Sequence, residues 1–242
     1  MFVYPAIDLI DQKCVRLSKG VYTEKSVYDD DPVNMAKKLV SEGAKRLHII
    51  DLDAAIKSSD CNYKIIEEIR KAVDVPMQVG GGIRSIQRAR ELIEIGIERI
   101  IVSTAVVTNP DFFDELMSKY SDNTAVSVDT REETVLIRGW VKETDLNIYD
   151  FSEELYNKGL KTIIYTDTER DGMLRGPNFE ILDKLNKKLD LNLIAAGGVT
   201  TVEDLNKLAE MNLYGAIIGK ALYENQISMK DIKAFQERIK DE

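Results

Sequence analysis

QVGGGIRS at residues 78–85 is echoed by AAGGVTT at residues 195–201. Each is followed by a segment of helical period and then a short apolar run, RIIVSTAVV from residue 99 in the first case and GAIIGKALY from residue 215 in the second. Gly81-Gly82 falls on Gly197-Gly198, and Ser103-Thr104 on Gly219-Lys220, with one ungapped shift of 116 positions. The same shift pairs Gly43 with Gly159 and Asp51 with Asp167, while Asp8 in YPAIDLI answers Asp129 in VSVDTRE at a shift of 121. Self-similarity of this kind fixes an architecture before any single element does. It divides the chain into two like halves, about 1–121 and 122–242.

Outward from these motifs, short β-branched runs alternate with longer amphipathic segments: FVYPAID, PVNMAKKLVSEGA, RLHIIDLD, NYKIIEEIRKAV, VPMQVGGG, SIQRARELIEIG, RIIVSTA, PDFFDELMSK and TAVSVDT. The order continues through IYDFSEELYNKG, KTIIYTDT, FEILDKLNKKL, LNLIAAGG, VEDLNKLAEM, YGAIIGKA and SMKDIKAFQERI, which completes eight strand-helix pairs. Strict alternation implies a parallel sheet. A doubly wound open sheet would satisfy the alternation alone, but two like halves of four pairs close naturally into a single-domain (β/α)8 TIM barrel. Asp31-Pro32 and Asn109-Pro110 read as helix caps followed by proline at the first helical position, and Thr200 with Glu203 has the spacing of a capping box. Connections are short except residues 9–30, a length more typical of a functional loop than of a domain boundary.

The chain has 242 residues, 44% of them hydrophobic, with 33 Lys+Arg against 42 Asp+Glu and a net charge of −9. An acidic chain without a basic stripe has no general pull toward nucleic acid or an anionic membrane, so a bound phosphate must be held by local geometry. The N-terminal apolar stretch is interrupted by Asp8 and Asp11 and reads as neither a secretory signal nor an anchor. Cys14, Cys61 and the single histidine, His48, are too few for a zinc site of the usual kind. A cytoplasmic, metal-free and cofactor-free protein is expected, and a monomer.

In a barrel the chemistry sits at the C-terminal ends of the strands. That filter selects Asp8, Asp51, Gly81-Gly82, Ser103-Thr104, Asp129, Thr166-Asp167, Gly197-Gly198 and Gly219-Lys220. Glycine pairs followed by small residues at the next strand end let backbone N–H groups approach a phosphate with no Cβ in the way. Two such places predict a small substrate phosphorylated at both ends, with Arg84 and Lys220 adding charge. Asp8 and Asp129 would face each other across the mouth, as a general acid and base working on the ligand's centre do. Asp51, Asp53, Asp167 and Asp171 compete for those roles, and His48, within a strand, reads as a packed or hydrogen-bonding residue.

YPAIDLIDQKCVRLSKG, RLHIIDLDAA, MQVGGGIRS, the Gly139-Trp140 pair, TDTERDGMLRG, AAGGV and IGKALY resemble, in order and spacing and essentially end to end, the ProFAR isomerase family of histidine biosynthesis. The resemblance implies an Amadori rearrangement of an aminoaldose phosphate to an aminoketose without cofactor or metal. It also implies Asp129 as general acid on the ribose ring oxygen, Asp8 as the base at C2′, and Thr166 as an aid to that transfer. Arg16 and Trp140 match positions that hold substrate, and Asp171, Gly172 and Gly176 belong to the loop after the sixth strand. Two departures stand out: Ser103 replaces the family's usual glycine, and Met173 interrupts the usual DGTL. The sister cyclase carries CLD-like and VKG motifs where this chain reads Ala6-Ile7-Asp8 and Val15-Arg16-Leu17. Two alternatives remain: a dual-substrate isomerase that also takes phosphoribosyl anthranilate, and a phosphoribosyl-binding module without catalysis. Residues 18–20 and 170–176 are candidate lids.

Overall fold

Side chains alternate along each short run, and a period of two turns one face of every strand toward a common centre and the other toward the helices. The structure, a computed structural model, describes residues 1–18, 21–57 and 62–241, without side chains at 16–18, 21–27, 57, 240 and 241. In chain order the strands are β1 (Phe2–Ile10), β2 (Lys13–Ser18), β3 (Val21–Asp29), β4 (Leu47–Asp51), β5 (Met77–Gly80), β6 (Arg99–Val102), β7 (Thr124–Arg131), β8 (Thr134–Ile137), β9 (Lys142–Asn147), β10 (Thr162–Asp167), β11 (Asn192–Ala196) and β12 (Gly215–Ile218). The helices are α1 (Pro32–Ser41), α2 (Leu52–Lys57), α3 (Tyr63–Ala72), α4 (Ile86–Glu94), α5 (Thr104–Thr108), α6 (Pro110–Tyr120), α7 (Ile148–Asn157), α8 (Phe179–Lys188), α9 (Val202–Glu210), α10 (Lys220–Tyr223) and α11 (Met229–Asp241).

Eight strands pair in parallel in the order β1, β4, β5, β6, β7, β10, β11, β12, and β12 returns to β1 through Phe2 against Gly215 and Val3 against Ala216. The sheet therefore closes, and the doubly wound alternative, which leaves two open edges, is excluded. Tyr4, Ala6, Ile101, Ala125, Ile164, Ile194 and Ile217 fill the ring from within, while residues such as Ile7, Leu47, Phe113 and Leu182 pack between ring and helices. At roughly 1.5–3 kcal/mol for each fully buried large aliphatic or aromatic side chain, these two layers supply the main favourable term of folding.

Local chemistry places the helix starts. Asp31 Oδ1 accepts from Asn34 N at 2.9 Å ahead of Pro32, and Asn109 Oδ1 accepts from Phe112 N at 3.3 Å ahead of Pro110. The capping box lies one residue beyond its expected place. Thr201 caps α9 and Asp204 answers it, because Asp204 accepts from the backbone N–H groups of both Thr200 and Thr201 while Thr200 Oγ1 turns back to Gly198 O. Two antiparallel hairpins decorate the C-terminal rim. β2 and β3 occupy the long first connection, and β8 and β9 extend β7. The second hairpin corrects the expectation of a single long connection: its outer strand, KETDLN, is polar on both faces and carries no strand signal in sequence. Its turn holds Arg138, Gly139 and Trp140 at φ of 58°, 63° and 70°.

Candidate active site

A cavity of about 1750 Å³ opens at the C-terminal strand ends. Asp8 and Asp129 both line it, on β1 and β7, strands that stand four places apart either way round the ring. Thr166, Asp171 and Trp140 line it too, as do both glycine pairs and the residues that follow β6 and β12. Of the binding and catalytic residues expected from sequence, two are not placed there. Gly176 lies in an adjoining groove of about 620 Å³, where its N–H donates to Gly198 O, so it supports a glycine of the rim. The side chain of Arg16 lies outside the described residues, as do Lys19 and Gly20 of the first candidate lid.

Both glycine pairs are demanded by their backbones. Gly81 and Gly82 have φ of 105° and 66°, and Gly197 and Gly198 have 78° and 88°. A Cβ on Gly81 would strike the carbonyl oxygen of Asp51, and one on Gly197 would sit 2.7 Å from that of Asp167. Gly82 and Gly198 are closed off in the same way by the carbonyls of Ala54 and Gly176. Only glycine fits a left-handed turn pressed against another strand end. Ser103 and Gly219 then start α5 and α10 with closely similar backbones, φ −141° with ψ −95° and φ −110° with ψ −100°. Neither lies in the left-handed region, so serine presents the same N–H as glycine. The flanking cations are tethered: Arg84 donates to Ala55 O at 2.7 Å, and Lys220 to Gly172 O at 2.9 Å.

The six competing aspartates separate by environment. Asp51 and Asp53 lie off the cavity, buried, and share the amide of Asn62, which donates at 2.7 Å and 3.0 Å. Asp53 and Asn62 accept in turn from the N–H groups of Asp11 and Gln12, at left-handed φ of 50° and 62°, and so hold the turn between β1 and β2. Asp167 touches the cavity but is occupied with its own loop, accepting from Glu169 N, Arg170 N and Asn178 Nδ2. Of the six, Asp8, Asp129 and Asp171 line the cavity alongside Asp167. Burial raises the carboxyl of Asp129 above the ordinary range. Ser127 Oγ, which donates at 2.9 Å, the Thr166 hydroxyl and the Trp140 indole counter that rise, and the charge of Asp171 adds to it. A carboxyl open to the cavity, surrounded by protein and biased toward its protonated form has the character of an acid.

Sequence reasoning missed Ser127, Asn62, Asn178 and Gln78. Ser127 and Gln78 carry a signal that was available: each is a polar residue at an inward position of a strand, Ser127 two places before Asp129 and Gln78 three before Gly81. His48 both packs and bonds, as expected, with Nδ1 2.8 Å from Gln78 Nε2, but it also forms part of the cavity wall. The loop 170–176, a candidate lid, is tied down by Lys220 on Gly172 O, Arg170 on Gly176 O and Gly176 N on Gly198 O. Cys14 is buried, its thiol pushed up to about 12 by burial and by the carboxylates of Asp29, Asp31 and Asp8, and Cys61 lies outside the described residues. Among the described residues no three His, Cys, Asp or Glu side chains gather as a metal site, and no helix is long and apolar enough to cross a membrane.

Fold and site together define a (β/α)8-barrel protein whose polar mouth is framed by opposed aspartates and paired glycine turns. The chain belongs to the histidine biosynthesis protein family, whose model matches residues 2–228. A relative from Clostridioides difficile (strain 630) is 43% identical over 231 residues, with 96% of each chain covered. Relatives from Oceanobacillus iheyensis and Listeria welshimeri are 44% and 43% identical over 232 residues, covering 96% of this chain and 97% of theirs. All three are named 1-(5-phosphoribosyl)-5-((5-phosphoribosylamino)methylideneamino)imidazole-4-carboxamide isomerase.

Proposed function

We propose that this chain is the isomerase its relatives are named for, converting ProFAR to its aminoketose isomer PRFAR by an Amadori rearrangement in histidine biosynthesis. The observation that carries the reading is the pair of carboxylates on opposite strands of one cavity, in a chain 43% identical to such an isomerase over 96% of its length. Asp129 gives its proton to the ribose ring oxygen as the C1′–O bond breaks, which leaves a protonated Schiff base at C1′. Asp8 removes the proton on C2′, the C–H electrons form the C1′–C2′ double bond, and the nitrogen takes back the iminium pair. The resulting enolamine becomes the ketose when the C2′ hydroxyl loses its proton and C1′ gains one. No electrons enter or leave, so the step needs neither oxidant nor reductant. Thr166, beside Asp129, steadies that acid.

The glycine pairs at 81–82 and 197–198, with Ser103, Thr104, Gly219 and Lys220, would receive the two phosphates by backbone donors. Arg16, Trp140, Asp171 and Gly172 complete the hold on the substrate in this reading. The division into half-barrels at about residue 121 belongs to the same proposal. Its support is that Asp51 with Asn62, and Asp167 with Asn178, make the same contact at one 116-residue shift. A monomeric, cytoplasmic enzyme without cofactor is part of the proposal too, as is the lack of a nucleic-acid or anionic-membrane partner, which the net charge of −9 supports. The relatives' names lend nothing to the dual-substrate or the non-catalytic alternative. The test is to follow the ribose C1′ and C2′ proton signals of ProFAR by NMR with the purified protein. Loss of the anomeric signal with growth of the ketose pattern is expected, and broadened but unconverted substrate would refute the reading.

A further inference from the structure

Below the mouth, three polar side chains share one level on neighbouring strands: His48 on β4 pairs in register with Gln78 on β5, and Gln78 with Arg99 on β6. All three are buried, with exposures of 7%, 1% and 6%. Arg99 NH1 donates to Gln78 Oε1 at 3.2 Å and to the Tyr4 hydroxyl at 3.4 Å, and NH2 donates to the Tyr214 hydroxyl at 3.3 Å. A guanidinium has only donors. It therefore dictates the orientation of the Gln78 amide: the oxygen must face Arg99, because the reversed amide would set NH₂ against N–H inside the barrel. The NH₂ is thereby turned to His48 Nδ1, 2.8 Å away. An NH₂ group also only donates, so Nδ1 must accept, and an accepting ring nitrogen carries no proton.

We infer that Arg99 and Gln78 are positioning residues that fix His48 as the neutral tautomer with its proton on Nε2, making it a hydrogen-bond donor and not a base at the wall of the cavity. The inference deepens the isomerase reading and rests on it only for its consequence. That reaction needs one base, at C2′ of the substrate, and His48 is the chain's single histidine, set on the strand next to that of Asp8. With Nδ1 spent on Gln78 and Nε2 protonated, the imidazole has no lone pair to offer, and proton abstraction falls to the carboxylate alone. Reaching this arrangement costs the burial of a guanidinium whose Nε has no hydrogen-bond partner and whose ion pair with Glu98 is long, at 3.9 Å. A buried cation with so long an ion pair is expensive, and a packing role would be met more cheaply by apolar side chains.

The test is the ¹⁵N spectrum of the imidazole in protein labelled at histidine, which shows one ring because the chain has one histidine. At neutral pH and without substrate, Nδ1 is expected at the pyridine-type shift and Nε2 at the pyrrole-type shift. In Gln78→Glu, an isostere that can only accept when ionised and stays paired to Arg99, the Nδ1 signal should move to the pyrrole-type position. A wild-type ring with pyrrole-type Nδ1 overturns the proposal, as does an unchanged ring in Q78E. If Q78E does not fold, the wild-type spectrum decides alone. No substrate enters this measurement, so failure to turn over ProFAR would refute the isomerase reading and leave the tautomer standing.

Discussion

The two sides of the barrel mouth use the same backbone and different side chains. At a shift of 116 residues, Gly81-Gly82 and Gly197-Gly198 take left-handed turns against the carbonyls of the preceding strand end, and Ser103 and Gly219 open the next short helix alike. The charges do not follow. The first side places its cation after β5, as Arg84, where the second has Thr200 bonded to Gly198 O; the second places its cation after β12, as Lys220, where the first has Thr104. The supporting carboxylates start alike, Asp51 accepting from Ala54 N and Asp167 from Arg170 N, but Asp51 also shares Asn62 with Asp53, and those two hold the turn at residues 11 and 12. Where backbone N–H groups form a site, geometry is what must be kept, and side chains around it are free to diverge.

The comparison breaks first at the aspartates, which look equivalent by position. Asp8→Asn and Asp129→Asn should each lower kcat by roughly 10²- to 10⁴-fold, the usual cost of a missing acid or base, with KM little changed. Near-normal turnover in either would end the assignment of roles. The acid's role should also show in pH behaviour. Asp129 has a raised carboxyl, so its acid function fades as pH rises through that raised value. The sign for stability follows from linkage: a carboxyl whose folded pKa exceeds its unfolded one binds its proton more tightly when folded. The contribution of Asp129 to stability should therefore grow as pH falls through the raised value and level off below the ordinary carboxylate range. Asp129→Asn should accordingly melt higher than wild type at neutral pH, with the gap narrowing in acid, as thermal melts across pH would show.

Glycine substitutions come next. Gly82→Ala and Gly198→Ala meet backbone carbonyls as well as a left-handed φ, so each should cost about 1–3 kcal/mol for strain, with further loss for the clash, and should raise KM together with it. Gly172→Ala is the control. Its φ of 68° is equally left-handed, but the nearest atom to a new Cβ is the flexible Lys220 chain at 3.7 Å, so about 1–2 kcal/mol is expected. Equal losses at all three sites, measured by urea unfolding, would show that backbone φ alone matters.

Asn62 and Asn178 sharpen the contrast between the supporting loops. Asn62→Ala takes a donor from each of two buried carboxylates, leaving Asp51, which already has an oxygen without a partner, with the Ala54 N–H and Asp53 with that of Asp11, whereas Asn178→Ala takes one donor from Asp167, which keeps two backbone N–H groups and Arg170 3.5 Å away. An unmatched buried group costs about 1–3 kcal/mol, so Asn62→Ala should sit at or above that range and Asn178→Ala at its lower end. A larger loss at Asn178, again by urea unfolding, would contradict the ranking.

The barrel was legible because its signals are periodic: eight alternations, and glycine pairs that recur at one shift. Asp8 and Asp129 were legible because strand ends in a barrel converge on one mouth. What stayed hidden depends on pairings across the chain. Asn62 and Asn178 look like ordinary helix starts until Asp51 and Asp167 are seen beside them, and KETDLN shows no strand period because β9 hangs beyond the core. The contacts of Gln78 and Arg99 are of the same kind, since only the closed ring brings Tyr4, Gln78 and Tyr214 around one guanidinium. Distinguishing structural from reactive aspartates needed the same information, since Asp51 and Asp129 end their strands in similar sequence.

The smallest effect expected is also the one that isolates the backbone argument. Ser103 stands at φ −141°, outside the left-handed region that favours glycine, and its side chain makes no cap bond to α5. Ser103→Gly therefore removes neither a required conformation nor a hydrogen bond within the protein, and it leaves the N–H at that position where it was. If the N–H carries the phosphate contact, KM for ProFAR should stay within about twofold, well under the 1.4 kcal/mol that a tenfold change represents. A rise of tenfold or more would mean that the serine hydroxyl itself donates to the ligand. The two sides of the mouth would then differ in what they bind with, and not only in what surrounds the same backbone cradle.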